Sequence, residues 1–189
     1  SPSYSLPQQA AAQAGLQLAE GVSPLQLADY VDFMASATGF TRAGYNVTLP
    51  PFPDGDPTHD WGPRLDAQRL GLLNVGYVVS EYEVEAAGLA AEGIIDGAYL
   101  YQNEQARPRA WVQASTTADV SESWRAVQSL RWSPNRIEIE ADGPGFLVLS
   151  EVAYPGWRAF VDGELVELQV CDGLLRCLAL PAGSHEVLV

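Results

Sequence analysis

Apolar residues recur at Leu27, Tyr30, Val31 and Met34 within "PLQLADYVDFMASA". That three-and-four spacing predicts an amphipathic helix from Pro24 to Ala37. Ser23 and Pro24 supply a cap and first-turn pair, and Gly39 supplies the stop. From Tyr45 to Pro63 the chain is dense in proline, aspartate and glycine, which predicts a loop, and "GPRLDAQRLGL" predicts a second short helix from Pro63 to about Leu70. "LLNVGYVVS", residues 72 to 80, is a continuous Val-rich apolar run and predicts a central strand buried on both faces. The following "EYEVEAAG" places Glu81, Glu83 and Glu85 on a solvated face, and "GAYLYQN" and "RAWVQAS" predict two more strands around the turn-like "EQARP".

Beyond Arg131 the period shortens. "RIEIEAD", "GFLVLSEV", "WRAFVDG", "ELVELQV", "LLRCLALP" and "HEVLV" are divided by Gly, Pro and Asp-Gly signals, as in antiparallel sandwiches. The fold class expected is α+β, with a mixed α/β N-terminal half followed by an antiparallel, jelly-roll-like β-sandwich. Three segments follow from this reading: a flexible lead-in over 1–22, a mixed α/β subdomain over 23–120 and a β-sandwich subdomain over 121–189. The last residues stop inside an apolar alternation with no turn signal, which suggests a piece of a longer protein.

Composition narrows the function. The 189 residues are 47% hydrophobic and 18% charged, and the net charge is −14, with all ten basic residues arginine. Phosphate binding needs a basic stripe, so nucleic acid is excluded as a partner, and an anionic membrane surface would repel the chain. No apolar run reaches the roughly 20 residues that span a bilayer. Cys171 and Cys177 flank "DGLLR". In an oxidising compartment a short hairpin can bring them to bridging distance; as free thiols they would serve as small buried hydrophobes.

Candidate chemistry is sparse. His59, with Asp54, Asp56 and Asp60 in "DGDPTHDW", has hard-ligand side chains but lacks the spacing of a calcium loop, and reads as a solvated loop with no metal. His185, after "PAGS", reads as a structural hydrogen-bonding residue. Glu138 and Glu140 alternate on one strand as solvent-facing residues do, and no nucleophile elbow supports Ser-His-Asp catalysis. The sequon at Asn46 reads as chance. No cofactor and no catalytic residue is expected. Sugar rings stack on exposed aromatic faces. Trp111 and Trp157 sit in apolar strands and should fill core volume, whereas Trp61, beside His59 in the polar loop, is the candidate sugar contact, with His59 as its neighbour.

"SEVAYPGWRAFVDGEL" combines a strand interruption at Tyr154-Pro155-Gly156 with an Asp162-Gly163 hairpin, which puts Trp157, Ala159 and Val161 on one inward face. The phrase "LVLSEVAYPGWRAFVDGELV", ending in "LALPAGSHEV", resembles the C-terminal extracytoplasmic region of the YfhO family of bacterial multi-spanning membrane proteins. "GVSPLQLADYVDFM", "LGLLNVGYVVS" and "RPRAWV" extend the resemblance over most of the chain. Those proteins are similar to the GT-C glycosyltransferases that use polyprenyl-phosphate sugars. The resemblance implies an extracytoplasmic domain of a multi-pass protein, with its own transmembrane region and a glycan or lipid-linked sugar as partners. The domain would shape the outer mouth of an active site or hold an acceptor without itself being catalytic. The alternative from the residues alone is a secreted carbohydrate-binding or adhesion module; a soluble hydrolase ranks last.

Overall fold

A computed structural model describes residues 8–19, 25–39, 65–80, 82–117 and 123–189. It is a β-rich α+β fold whose strands pair antiparallel throughout the described sheets. The chain divides into two compact units, Ser1–Ala106 and Arg107–Val189.

In the first unit the expected flexible lead-in carries helix α1 (Gln8–Gln13), because its alanines are the strongest helix formers and Ala11 is buried. Helix α2 (Ala28–Thr38) begins later than the apolar spacing predicts. Its N-cap is Leu27, which has no side-chain cap, and Ser23 and Pro24 lie outside the described residues. Its end is as expected: Gly39 takes a left-handed φ of 73° and its N–H donates to Ala35 O at 2.9 Å. Helix α3 (Ala67–Leu72) starts where Asp66 accepts from the Arg69 N–H at 3.0 Å.

The apolar run at 72–80 is not a central buried strand. Leu72 ends α3, and only Tyr77–Ser80 form strand β1, at the edge of a three-stranded sheet ordered β1-β3-β2 with β2 spanning Leu89–Ile95 and β3 Ala98–Asn103. Tyr77 and Val79 are exposed. An unbroken apolar run reads alike whether one element or a helix end, a turn and a strand produce it. The hairpin joining β2 to β3 turns at Asp96-Gly97, both at positive φ. Buried Asn103 then ties the unit together: its amide donates to Ala67 O and Val75 O, each at 2.9 Å, and its carbonyl oxygen accepts from Gln105 N.

The second unit holds β4 (Ala110–Gln113), β5 (Arg125–Ala126), β6 (Ser129–Ser133), β7 (Arg136–Val152), β8 (Ala159–Val161), β9 (Glu164–Val166), β10 (Gln169–Cys171) and β11 (Leu175–Leu188). The boundary falls earlier than the sequence placed it, because "RAWVQAS" finds its partner in β7, with Ala110 opposite Leu149 and Val112 opposite Leu147. The spine is the pair β7·β11. Four of the strands expected here are only two: "RIEIEAD" and "GFLVLSEV" run on as β7, and "LLRCLALP" and "HEVLV" as β11.

The Gly-Pro signals bend these strands without ending them. Trp132 pairs with Ile137, and in a straight strand Glu151 would lie roughly 46 Å from Ile137. Trp132 Nε1 nevertheless donates to Glu151 Oε1 at 3.0 Å, so β7 folds back on itself. The bend lies at Gly143-Pro144-Gly145, opposite a register shift at Leu180/Gly183 in β11. A Cβ at Gly143 would lie 1.7 Å from Pro181 O, so only glycine lets the spine strands approach this closely. Ile137, Ile139 and Ala141 from one arm of β7 and Leu147 and Leu149 from the other share one core with Leu178, Val187, Ala159 and Val161.

Candidate functional site

At the end of this core, antiparallel register places Arg176 of β11 between Leu149 of β7 and Val170 of β10. Paired residues share a face, so a cation stands in the column that Leu178 and Leu149 fill. Its side chain is 5% exposed. Two features answer the cost of burying it. The guanidinium stacks 4.1 Å from the Trp157 ring centroid. Its Nη2 donates to Glu151 Oε2 at 3.4 Å. Burial lowers its pKa, and the Glu151 charge acts in the opposite direction.

Glu151 is the hub. Its Oε1 also accepts from Arg109 Nη1 at 2.9 Å and from Trp132 Nε1 at 3.0 Å, while the Arg109 guanidinium lies 4.4 Å from the Trp132 ring centroid. A continuous chain therefore runs Trp132, Arg109, Glu151, Arg176, Trp157. Exposure grades along it: Trp132 is 42% exposed, Arg109 and Glu151 each 26%, and Arg176 almost wholly covered. Among the described residues, Arg176 Nε and Nη1 have no hydrogen-bond partner although both are buried.

Two other polar groups in this unit are structural. Gln113 Oε1 accepts from Trp111 Nε1 at 2.6 Å and Arg107 Nη1 at 3.0 Å, and its amide donates to Ser115 O at 3.0 Å, which satisfies a buried side chain beside fully buried Trp111. His185 Nδ1 lies 2.7 Å from Asp162 Oδ2, and Asp162 Oδ1 accepts from Glu186 N at 2.9 Å, so the β8–β9 turn is pinned to β11. The Asp162 hydrogen bond raises the His185 pKa, and the same bond lowers that of Asp162.

Cys171 and Cys177 form a disulfide, with Cα atoms 5.7 Å apart and both residues fully buried. They are diagonal rather than opposite, since Cys171 pairs with Leu175 and Cys177 with Gln169. Trp61 and His59, with Asp54, Asp56, Asp60 and Asn46, lie outside the described residues. Trp111 is buried as expected, and Trp157 packs partly buried against the core. Tyr154 is exposed. Glu138 and Glu140 alternate with buried Ile137 and Ile139, and Glu138 is held by Arg136 at 2.7 Å.

Trp132, Arg109, Glu151 and Arg176 were not legible as a site. They lie 19 to 42 residues from their cluster partners, and no local motif links them. The one available signal was arginine inside an apolar alternation, "LLRCLAL". Among the described residues no group of three or more His, Cys, Asp and Glu is placed to hold a metal, and no helix is long and apolar enough to cross a membrane. Protein-family models, curated proteins and solved structures give no match to the chain.

Proposed function

We propose that this chain is the extracytoplasmic domain of a bacterial multi-pass membrane protein resembling the YfhO family and the GT-C glycosyltransferases, and that it holds a glycan acceptor beside a catalytic centre located elsewhere in the parent. The observation that carries this reading is the Cys171–Cys177 disulfide, since such bonds persist in oxidising compartments and are rare in a reducing cytosol. The aromatic and ionic cluster around Glu151 supports a binding role, because saccharide sites combine ring faces with a few convergent polar groups. The fold-back of β7 over one core supports a two-layer sandwich for the second unit. A secreted carbohydrate-binding module is the second reading, favoured by exposed Trp132 and Tyr154 in the same unit.

Protease treatment of intact cells producing the full-length parent separates the readings. Digestion of the domain from outside, with the remaining fragment in the membrane fraction, is expected. Recovery of the intact chain in the medium favours the secreted module, and protection until lysis overturns both.

A further inference from the structure

We propose that strand β1 is a self-association edge: a second copy of this chain adds its own β1 antiparallel across a two-fold axis and joins the two three-stranded sheets into one, independently of any acceptor the chain holds.

Asn103 N donates to Gly76 O at 2.8 Å, one step beyond the register in which Tyr77 faces Gln102 and Ser80 faces Tyr99. Bonded and non-bonded pairs alternate in an antiparallel ladder, so Gly76, Val78 and Ser80 turn their backbone groups to β3, while the N–H and C=O of Tyr77 and Val79 point away from it. Among the described residues no strand pairs with β1 on that side. Such an edge is a template for another strand unless the fold blunts it. The opposite edge of the sheet is blunted, because β2 is bulged between Ala91 and Gly93 and the unpaired residue is Glu92. Strand β1 has no bulge, no proline and no charged residue.

The side chains select a second copy as the occupant. With the axis at Val78, Tyr77 of each copy lies opposite Val79 of the other, so the outward-facing backbone groups of both copies bond one another. Each such pair sets an aromatic ring against a β-branched side chain, a favourable cross-strand combination. The same two residues are the exposed ones of the strand, Tyr77 at 60% and Val79 at 40%. An extended segment of another protein would meet the same backbone groups, whereas β1 itself supplies the Tyr–Val match on both sides of the axis. Charge points the same way. Two copies of a chain with net charge −14 repel, so a contact between them is favoured where charge is absent, and residues 70–80 hold no charged side chain. The contact is small, so the association is weak, and salt that screens the repulsion strengthens it.

The test is sedimentation equilibrium of the 189-residue chain from about 10 μM to about 1 mM, at low and high salt. A monomer–dimer equilibrium that stops at the dimer and tightens with salt is expected. Val79→Lys puts a charge on the free edge and is expected to weaken association about tenfold, while Ile94→Lys, at an exposed apolar position on β2, leaves it unchanged. Cross-linking reads the register, since both native cysteines are held in their disulfide. Val78→Cys is expected to give a reducible covalent dimer, because Val78 meets its own copy in a non-bonded pair with Cα atoms about 4.5 Å apart, whereas Ser80→Cys, which would face Gly76, does not. Near-UV circular dichroism establishes that each variant is folded, and the concentration dependence of the unsubstituted chain requires no variant. An unsubstituted chain that stays monomeric at about 1 mM leaves β1 to a foreign strand or to none and overturns the proposal. Growth beyond the dimer, association that weakens with salt, equal weakening by folded Ile94→Lys, or cross-linking of Ser80→Cys as readily as of Val78→Cys would each overturn it as well.

Discussion

Arg176 shows how one residue can stand against its surroundings. It occupies a core position, and its charge is tolerated because Trp157 covers one face of the guanidinium and Glu151 supplies the counter-charge. Removing one member of such a group differs from replacing the other. Glu151→Ala leaves the Arg176 cation buried without its anion and should destabilise the protein by about 3 kcal/mol. Arg176→Met removes the cation and keeps an apolar stem of similar length, while Glu151 retains Arg109 and Trp132, so its cost should stay within about 1 kcal/mol. Urea unfolding of the two variants checks the asymmetry, and equal losses would mean that Arg176 acts through its charge alone.

At the scale of elements, two short hairpins are tied down by side-chain bonds. Asp162 turns the β8–β9 hairpin at positive φ and also holds His185 on β11. The His185 pKa is raised in the folded state, so its contribution is complete below the ordinary value of 6.5 and disappears as pH rises through the folded value. The Asp162 pKa is lowered, so its contribution is present above the ordinary 3.8 and disappears as pH falls through the folded value. The stability difference between the parent and His185→Gln should therefore be greatest between those two ordinary values and shrink toward alkaline pH. A difference that is flat with pH would remove the ion pair from the account. Asp142, which also favours the charged imidazole, should modulate this profile only weakly. The β10–β11 hairpin is closed by the disulfide, and the Cys171→Ala/Cys177→Ala double variant should lose about 2 kcal/mol, as loop-closure entropy gives for so short a ring. Thermal melts of the parent with and without reductant provide the matching measurement.

At the scale of the whole molecule, the charge is unevenly divided: only Arg42, Arg64 and Arg69 of the ten arginines belong to the first unit. The second unit depends on the bend in its two longest strands, which brings Trp132 to Glu151 and closes the core. Gly143→Ala places a methyl group against the Pro181 carbonyl, where backbone on both sides must move. It should cost about 3 kcal/mol or more and disturb the Glu151 cluster from a distance. Urea unfolding together with the Trp132 indole resonance reports both effects, and a variant as stable as the parent with an unmoved indole signal would show that the bend does not depend on glycine.

Short-range features were legible in the chain itself. Asp162-Gly163 and Asp172-Gly173 turn at positive φ, Gly39 stops α2, and Ile137, Ile139, Ala159 and Val161 alternate into the core. Each depends on torsional preferences or on a period confined to a few neighbouring residues, so the local sequence suffices. Partner choice does not. The apolar run at 72–80 divides between a helix end and an edge strand, "RAWVQAS" pairs with β7 in the second unit, and Gly143 to Gly145 bend a strand that local signals would end. Trp132 and Glu151 meet only because that bend folds β7 back on itself. Such meetings are decided by which long-range contacts bury the most apolar surface while satisfying the backbone, a property of the assembled fold rather than of any window along the chain.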